Sequence, residues 1–233
     1  MWRRGARLRA AGMQAAGVSP ARIPRSLHPA AGPRYPLLMK RTTQIVAAGF
    51  ALLLAACQTQ GPRGNASTGE RLFTQLNCIT CHSVKGVGGR SAPAFGAVAF
   101  TPNSMAAAMW SHVTIMWKAM DQAGIQHPRL TEQQAADLYA YIAGGDYPDK
   151  AGDAAKGRQV YETKLCISCH EPGYASAPSL NALAGHASAF AMVAALWQHG
   201  AGMLSGMTAK NIEWQQLSTE EMTNLIAWLN AKK

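Results

Sequence analysis

The hydrophobic pattern of this chain is helical wherever it is regular. Apolar residues recur at i, i+3 and i+4 in three stretches, the spacing that gives a helix one apolar face. These faces comprise Leu72, Phe73 and Leu76, then Leu138, Tyr141 and Ile142, and finally Leu225, Trp228 and Leu229. Capping boxes at Ser67–Glu70, Thr131–Gln134 and Ser218–Glu221, together with Asp153, predict where helices begin. We therefore predict an all-α fold.

The helical pattern occurs twice along the chain. Gly69, Phe73, Cys78 and His82 correspond to Gly157, Tyr161, Cys166 and His170, and Trp110, His112, Met116, Met120, Leu130 and Tyr141 correspond to Trp197, His199, Met203, Met207, Leu217 and Trp228. A repeat of this length indicates a tandem duplication. We predict a flexible tether over 57–66, a first domain over 67–145, a breaker-rich linker over 146–152 and a second domain over 153–233.

The N-terminal residues have the pattern of an export signal. Lys40 and Arg41 precede an apolar stretch, and the ending Leu-Ala-Ala-Cys57 resembles a bacterial lipoprotein cleavage site. We predict a signal peptide over 39–56, with cleavage before Cys57 and lipidation of its sulfur; the alternative is an ordinary secreted protein. Residues 1–38 are rich in Arg and contain no acid, so we interpret them as an extension before a true start at Met39 rather than as a transit peptide.

The net charge indicates no particular partner once the signal peptide is removed. The formal charge of +10 would favour nucleic acid or an anionic membrane as a partner. Nine of the 22 Lys and Arg residues lie within residues 1–56, which contain no acid, so 13 basic residues then remain against 12 acidic ones. The sequence therefore predicts no nucleic-acid partner.

The chemistry lies in two copies of the pattern C-x-x-C-H. Cys78 and Cys81 precede His82, and Cys166 and Cys169 precede His170. Two thiols three positions apart lie on one helical turn and can both add to vinyl groups of one porphyrin, while the next residue places an imidazole at the iron. A redox dithiol or a zinc site would not need the adjoining histidine. We therefore predict two covalently bound haem c groups.

These residues resemble the class I cytochromes c. The resemblance covers residues 66–233 and includes Gly69 and Gly157, each with an aromatic partner on the last helix, Tyr141 or Trp228. It implies two tandem domains, each wrapped round one haem. It also implies that the carbonyl groups of Pro93 and Pro178 hold the proximal imidazoles, and that haem is attached outside the cytoplasmic membrane.

The opposite side of each iron has three repeated candidates. These are His112, Met116 and Met120 in the first half, and His199, Met203 and Met207 in the second. Spacing by four would put each set on one face of a continuous helix. We expect Val113–Ile115 and Gly200–Gly202 to break that helix, so that Met116 and Met203 become the metal ligands. Met120 and Met207 are the rival pair, and the histidines the third choice.

The remaining aromatic and histidine residues have weaker expected roles. The indole N–H groups of Trp110 and Trp197 would hydrogen-bond a haem propionate, or the rings would be plain core residues. His127 and His186 have no partner in the predicted repeat, and we interpret both as ordinary surface or loop residues.

Together these patterns predict an electron-transfer protein rather than an enzyme. We expect redox proteins as partners, a membrane anchor through Cys57, and a location on the periplasmic or cell-surface side of a bacterial membrane. The alternative is a haem enzyme, a dihaem peroxidase or a sulfur-compound oxidase, with one open distal site. That alternative predicts divergent distal segments, whereas the Trp-x-His-x3-Met-x3-Met pattern is intact in both halves.

Overall fold

The computed structural model describes residues 61–96, 99–171 and 177–232. The predictions for the leader, the signal peptide and Cys57 lie outside these residues. In chain order the helices described are α1 (Ala66–Gln75), α2 (Cys78–Cys81), α3 (Pro102–Gln122), α4 (Glu132–Ala143), α5 (Ala154–Thr163), α6 (Ile167–His170), the 3-10 turn Leu180–Leu183, α7 (Ala189–Ala209) and α8 (Thr219–Ala231). A short hairpin, β1 (Ser83–Val84) and β2 (Val87–Gly88), follows α2. The predicted all-α fold is confirmed.

In each half the first helix crosses the last one, α1 against α4 and α5 against α8. Gly69 lies against the carbonyl group of Asp137, and Gly157 lies against that of Asn224, so a Cβ at either glycine would collide with backbone. The absent side chain is what allows the helices to approach. Next to the crossings, Phe73 packs edge-on to Tyr141. In the second half the ring centroids of Tyr161 and Trp228 lie 4.5 Å apart.

The helix starts agree with the sequence in three of four places. Thr131 and Ser218 form full capping boxes with Gln134 and Glu221, and Asp153 caps α5. The box predicted at Ser67–Glu70 is wrong. Helix α1 begins two residues earlier than that box predicts, at Ala66, because the side chain of Asn65 accepts from the N–H of Thr68 and caps it instead.

A matching hydrogen bond ties each first helix to the last. The backbone N–H of Asn65 donates to Asp137 at 2.7 Å, and that of Asp153 donates to Asn224 at 2.8 Å. In the first half the carbonyl group of Arg63 also accepts from the side chain of Gln133. The end of the predicted tether is thereby fixed to α4.

The two longest helices join the halves. Helix α3 packs against α7 and α8, and α7 packs against α4 as well. Pro102 at the first turn of α3 and the caps Thr101 and Ser188 mark where these helices begin. None of the helices within the described ranges is long and apolar enough to cross a membrane.

Candidate functional site

The first C-x-x-C-H motif is a single helical turn followed by a histidine in extended conformation. The backbone N–H of His82 donates to Cys78 O at 3.0 Å, which closes the turn. Gly89 donates its N–H to the carbonyl groups of both Ile79 and His82, so the loop after the motif satisfies the turn's free acceptors. The two cysteines and the histidine are thus held by local backbone bonds.

The imidazole of His82 is held by a proline carbonyl group. Its Nδ1 lies 2.9 Å from Pro93 O, and because a carbonyl oxygen can only accept, Nδ1 carries the proton and donates it. Nε2 is then the free acceptor, the form in which histidine ligates iron. Phe95 stacks on the ring at a centroid distance of 4.8 Å and limits its rotation.

The second motif has the same construction. The N–H groups of Cys169 and His170 both donate to Cys166 O, and Nδ1 of His170 lies 2.8 Å from Pro178 O. The proline carbonyl contacts that the family resemblance implied are therefore present in both halves. Asn77 and Leu165, the residues before each motif, both adopt the left-handed conformation, with φ of 62° and 61°.

Burial controls the chemistry of the leading cysteine in each motif. Burial raises the pKa of Cys78 and of Cys166 to about 11. Because the thiolate is the form that attacks a disulfide, both side chains are protonated and slow in disulfide exchange at neutral pH.

The surface beside the motifs fits a covalently attached porphyrin. Val87, Leu165 and Ile167 are exposed by 65 %, 43 % and 36 %, and all three lie within or near a motif. Large apolar side chains with this exposure are otherwise represented, in the part of the chain that the structure describes, only by Ile115. A flat apolar group joined to the cysteines would cover this surface.

The end of α3 lies beside the first motif. A cavity of about 870 Å³ separates them, lined on one side by Leu76 and Asn77 and on the other by Asp121, Ile125 and His127. The helix that carries the distal candidates therefore reaches the segment that begins the haem motif.

The distal candidates lie on continuous helices, so the predicted break is wrong. Val113–Ile115 is within α3, and Gly200–Gly202 is within α7. Weak helix propensity of this kind costs about 1 kcal/mol per glycine. Burial of Val113, Trp117 and Leu196 between the two halves outweighs it, because those side chains pack only if both helices continue.

One face of each helix carries all the distal candidates. His112, Met116 and Met120 follow one another at intervals of four, as do His199, Met203 and Met207. The four methionines are half-buried and the two histidines are exposed. Nδ1 of His112 lies 2.8 Å from Ala108 O, on its own helix.

The tryptophans form an interface between the halves, a role that the sequence interpretation missed. The indole N–H of Trp110 donates to Gln215 O, and that of Trp197 donates to the sulfur of Met109. Both indole donors therefore have partners within the protein, in place of the haem propionate that the sequence suggested. His127 is also not an ordinary loop residue, since it stacks on Trp117. Its repeat position is Trp214, a correspondence hidden by the change of residue type. His186 is exposed, as expected.

Comparison with known families agrees with this geometry. Residues 66–146 match the family model described as cytochrome c. Residues 152–229 match the model described as cytochrome c oxidase, cbb3-type, subunit III. The two halves are cytochrome c domains. No curated protein and no solved structure matches the chain.

The two matches indicate the cofactor and the general activity. Cytochrome c domains carry covalently bound haem c with its iron, and a chain with two such domains has the features of a haem electron-transfer protein. The residues available to hold such a group in the first domain are Cys78, Cys81 and His82; Cys166, Cys169 and His170 are their counterparts in the second.

Proposed function

We propose that this c-type cytochrome is a dihaem carrier that passes electrons one at a time between partner proteins. The observation that carries the proposal is the proximal arrangement, which occurs twice. His82 and His170 each donate from Nδ1 to a proline carbonyl group, at 2.9 and 2.8 Å, directly after a pair of cysteines. Two complete proximal sites would have no purpose in a chain that binds one haem.

The roles of the residues follow from their chemistry. The cysteine pairs would form thioether bonds to the porphyrin, and His82 and His170 would ligate the iron through Nε2. When bound, the haem supplies a one-electron Fe(III)/Fe(II) couple. Pro93 and Pro178 fix the tautomer and orientation of the imidazoles, so that the same nitrogen, Nε2, would face the iron in both oxidation states.

We propose Met116 and Met203 as the ligands on the distal side of the iron. Because the helices are continuous, the reason lies in the position of each methionine along its helix. Met120 and Met207 occupy the third position from the end of their helices, where their carbonyl groups accept from Ile125 and Ile212 in a Schellman motif. That motif is usually completed by contact between these two side chains, so the methionine at this position has a structural role. Met116 packs partly against the buried cluster of Val113, Trp117 and Leu196, so a fixed part of α3 determines where its sulfur lies.

Location and partners are inferred from the sequence. We propose cleavage before Cys57, lipidation of its sulfur and attachment to the outer side of a bacterial cytoplasmic or outer membrane. The partners would be redox proteins that meet the cytochrome there. The match of the second domain to a family named after an oxidase subunit supports membrane oxidoreductases as such partners. Labelling with palmitate tests the anchor, and loss of label in Cys57→Ser is expected.

The enzyme alternative has less support. A peroxidase or sulfur-compound oxidase would need an open distal position in one domain. The distal candidates instead lie at equivalent places on two continuous helices of the same length, α3 and α7. Nothing in the described residues distinguishes one of these helices as the wall of a substrate site.

Haem content tests the proposal. The wild-type chain should carry two haems, measured by the pyridine haemochrome assay and by intact mass. The double variant Cys78→Ser with Cys81→Ser should carry one haem, and so should Cys166→Ser with Cys169→Ser. One haem in the wild type, retained in either variant, would contradict the dihaem proposal.

The sixth ligand is tested by comparing variants of the same helix. Met116→Ala should remove the sulfur-to-iron charge-transfer band of one haem and lower its potential. Met120→Ala is the matched control and should leave that band in place. The reverse result would assign Met120, and by repeat Met207, as the ligand.

A further inference from the structure

The two domains contact each other through a hydrogen bond that is made twice. The hydroxyl group of Ser111 on α3 donates to Leu217 O at 3.0 Å and accepts from the N–H of Leu217 at 3.1 Å. Gln198 on α7 donates from Nε2 to Leu130 O at 2.7 Å. Ser111 and Gln198 are equivalent positions of the repeat, and so are Leu130 and Leu217. The interface is therefore reciprocal.

Each of these bonds links the distal helix of one domain to the terminal helix of the other. Leu130 immediately precedes Thr131, the cap of α4, and Leu217 immediately precedes Ser218, the cap of α8. The terminal helices are themselves held at the glycine crossings within their own domains. Each distal helix is thus attached to a rigid element of the neighbouring domain.

Aromatic packing strengthens the attachment of α3. Trp110 stacks on Trp214 of the second domain with ring centroids 5.1 Å apart, and the indole N–H of Trp214 donates to Trp110 O at 2.8 Å. Trp117 is only 5 % exposed and meets both Trp197 and Trp214 edge-on. Aromatic pairs of this kind contribute beyond the apolar area that they bury.

The interface is fitted to these two particular halves. A Cβ at Gly200 would come within 2.5 Å of Cη2 of Trp117, so the missing side chain on α7 makes room for the ring on α3. At the equivalent positions the first domain has Val113 where the second has Gly200, and the second has Leu204 where the first has Trp117. At both positions the larger side chain is on α3 and the smaller residue is on α7.

The interface residues and the distal candidates lie on the same helical turns. Trp110 and Trp117 face the second domain, and His112, Met116 and Met120 are their near neighbours in sequence on the adjoining face of α3. A rigid helix turns as one body, so contacts that fix the tryptophans also fix the direction of the sulfur atoms.

We propose that each domain positions the distal helix of the other, and that Trp214 is a positioning residue for the haem of the first domain. The proposal rests on the proposed function in one respect, that the distal ligand comes from α3. The reduction potential of the first haem therefore depends on a side chain that belongs to the second domain. The two domains are thereby coupled through the packing of α3 against Trp214.

The test uses two Trp→Phe variants of the full-length holoprotein. Trp214→Phe alters the side chain that packs on α3, whereas Trp228→Phe alters one that packs on Tyr161 within the second domain. Paramagnetically shifted haem signals are assigned by NMR with Phe95→Leu, which alters the ring stacked on His82 in the first domain, where its aromatic neighbours Phe73, His82 and Phe100 all lie. A redox titration followed by the same signals then measures each haem.

Trp214→Phe should move the signals of the first haem and change its oxidised-to-reduced equilibrium up to about tenfold, which is about 59 mV for one electron. Trp228→Phe should move only those of the second. No change at the first haem in Trp214→Phe, or an equal change in both variants, would overturn the proposal.

A second readout does not depend on the ligand. Amide hydrogen exchange at residues 113–120 of α3 should accelerate about tenfold in Trp214→Phe and stay unchanged in Trp228→Phe. Unchanged exchange in both would also overturn the proposal. If the wild-type spectrum contains a single haem, or lacks the methionine signature, the proposed function fails while this exchange result still decides the positioning role.

Discussion

The proximal and distal sides of this cytochrome differ in how they are built. On the proximal side the two domains are near copies, since each has a C-x-x-C-H turn and a proline carbonyl group 2.8 or 2.9 Å from the histidine. On the distal side the domains differ where they meet. The first domain has Val113 and Trp117 at the positions where the second has Gly200 and Leu204. The proximal site is complete within one domain, whereas the distal wall depends on both.

The difference teaches where independent change is tolerated. Where a site makes all its contacts within one domain, the same residues can serve in both copies, because the neighbouring domain does not touch them. A helix that packs against its own duplicate at a two-fold-like interface meets a partner of equal size, and interdigitation then requires one large and one small side chain. Trp117 and Gly200 are that pair.

The largest predicted effect is at the two glycine crossings, where the first helix of each domain meets the last helix of the same domain. Gly69→Val and Gly157→Val should each destabilise their domain by about 3 kcal/mol, because the new side chain collides with the backbone of Asp137 or Asn224. Denaturant unfolding measures the loss. Gly202→Val is the control, since it meets nothing within 4 Å. Equal stability of Gly69→Val and the control would contradict the crossing.

The next effect tests the distal exchange of volume. Gly200→Val should cost about 2 kcal/mol because Trp117 must move, and Trp117→Leu a similar amount because it leaves a cavity. The double variant should cost less than the sum of the two, with a coupling energy of about 1–2 kcal/mol from a double-mutant cycle in denaturant unfolding. Simple additivity would mean that the two side chains do not share the interface.

A smaller effect exchanges residues at the turn before each motif. Leu165 has φ of 61°, a conformation that costs a leucine about 1 kcal/mol or more, while Asn77 occupies the same place in the first domain at 62°. Leu165→Asn should therefore stabilise the second domain by about 1 kcal/mol in thermal unfolding. Asn77→Leu should destabilise the first by a similar amount. A destabilising Leu165→Asn together with a stabilising Asn77→Leu would show that side-chain contacts, and not backbone conformation, govern this turn.

The smallest predicted effect concerns pH and the capping boxes. Burial alone would raise the pKa of Glu221, but hydrogen bonds from the Ser218 N–H and from Lys164 outweigh it and lower that pKa below its ordinary value of 4.5. The stability it contributes is therefore complete above pH 4.5 and is lost as pH falls through the folded-state pKa. Gln134 has the same place in the first domain and does not titrate.

Glu221→Gln should accordingly flatten the stability profile below pH 4.5, with a change at neutral pH of about 0.5 kcal/mol. Unfolding midpoints measured between about pH 3 and pH 7 would give the slope. Gln134→Glu is the control, because it places a carboxylate at the equivalent position of the first domain. That carboxylate has no lysine partner there, since the residue equivalent to Lys164 is Leu76. An unchanged slope in Glu221→Gln would rule out this carboxylate as its source.

Local sequence signals predicted what local contacts build. The caps at Thr131 and Ser218 were accessible from residue type and spacing, whereas the glycine crossings and the proline carbonyl contacts were implied by the resemblance to the class I cytochromes c. Each of them depends on a residue whose chemistry has few alternatives, a missing side chain, a capping oxygen or a restricted proline. The cap at Ser67 failed because Asn65, a capping residue of equal preference, lies two positions before it and caps the helix there.

Contacts between distant segments were not accessible in the same way. The glycines and β-branched residues of the distal segments favoured a break, and only packing with a helix about 90 residues away keeps α3 and α7 continuous. Trp214 was missed because its repeat partner is His127, so identity between the halves did not mark it. Its contact with Trp110 is visible only in three dimensions.

Spectroscopy of the ferric and reduced wild-type protein tests the central claim most directly, that both haems have a complete proximal and distal site. We predict a methionine-sulfur-to-iron charge-transfer band with the intensity of two haems, and no binding of CO after reduction. Ready binding of CO to either haem, or a band for only one of them, would contradict the account, because it would mean that one distal position is open.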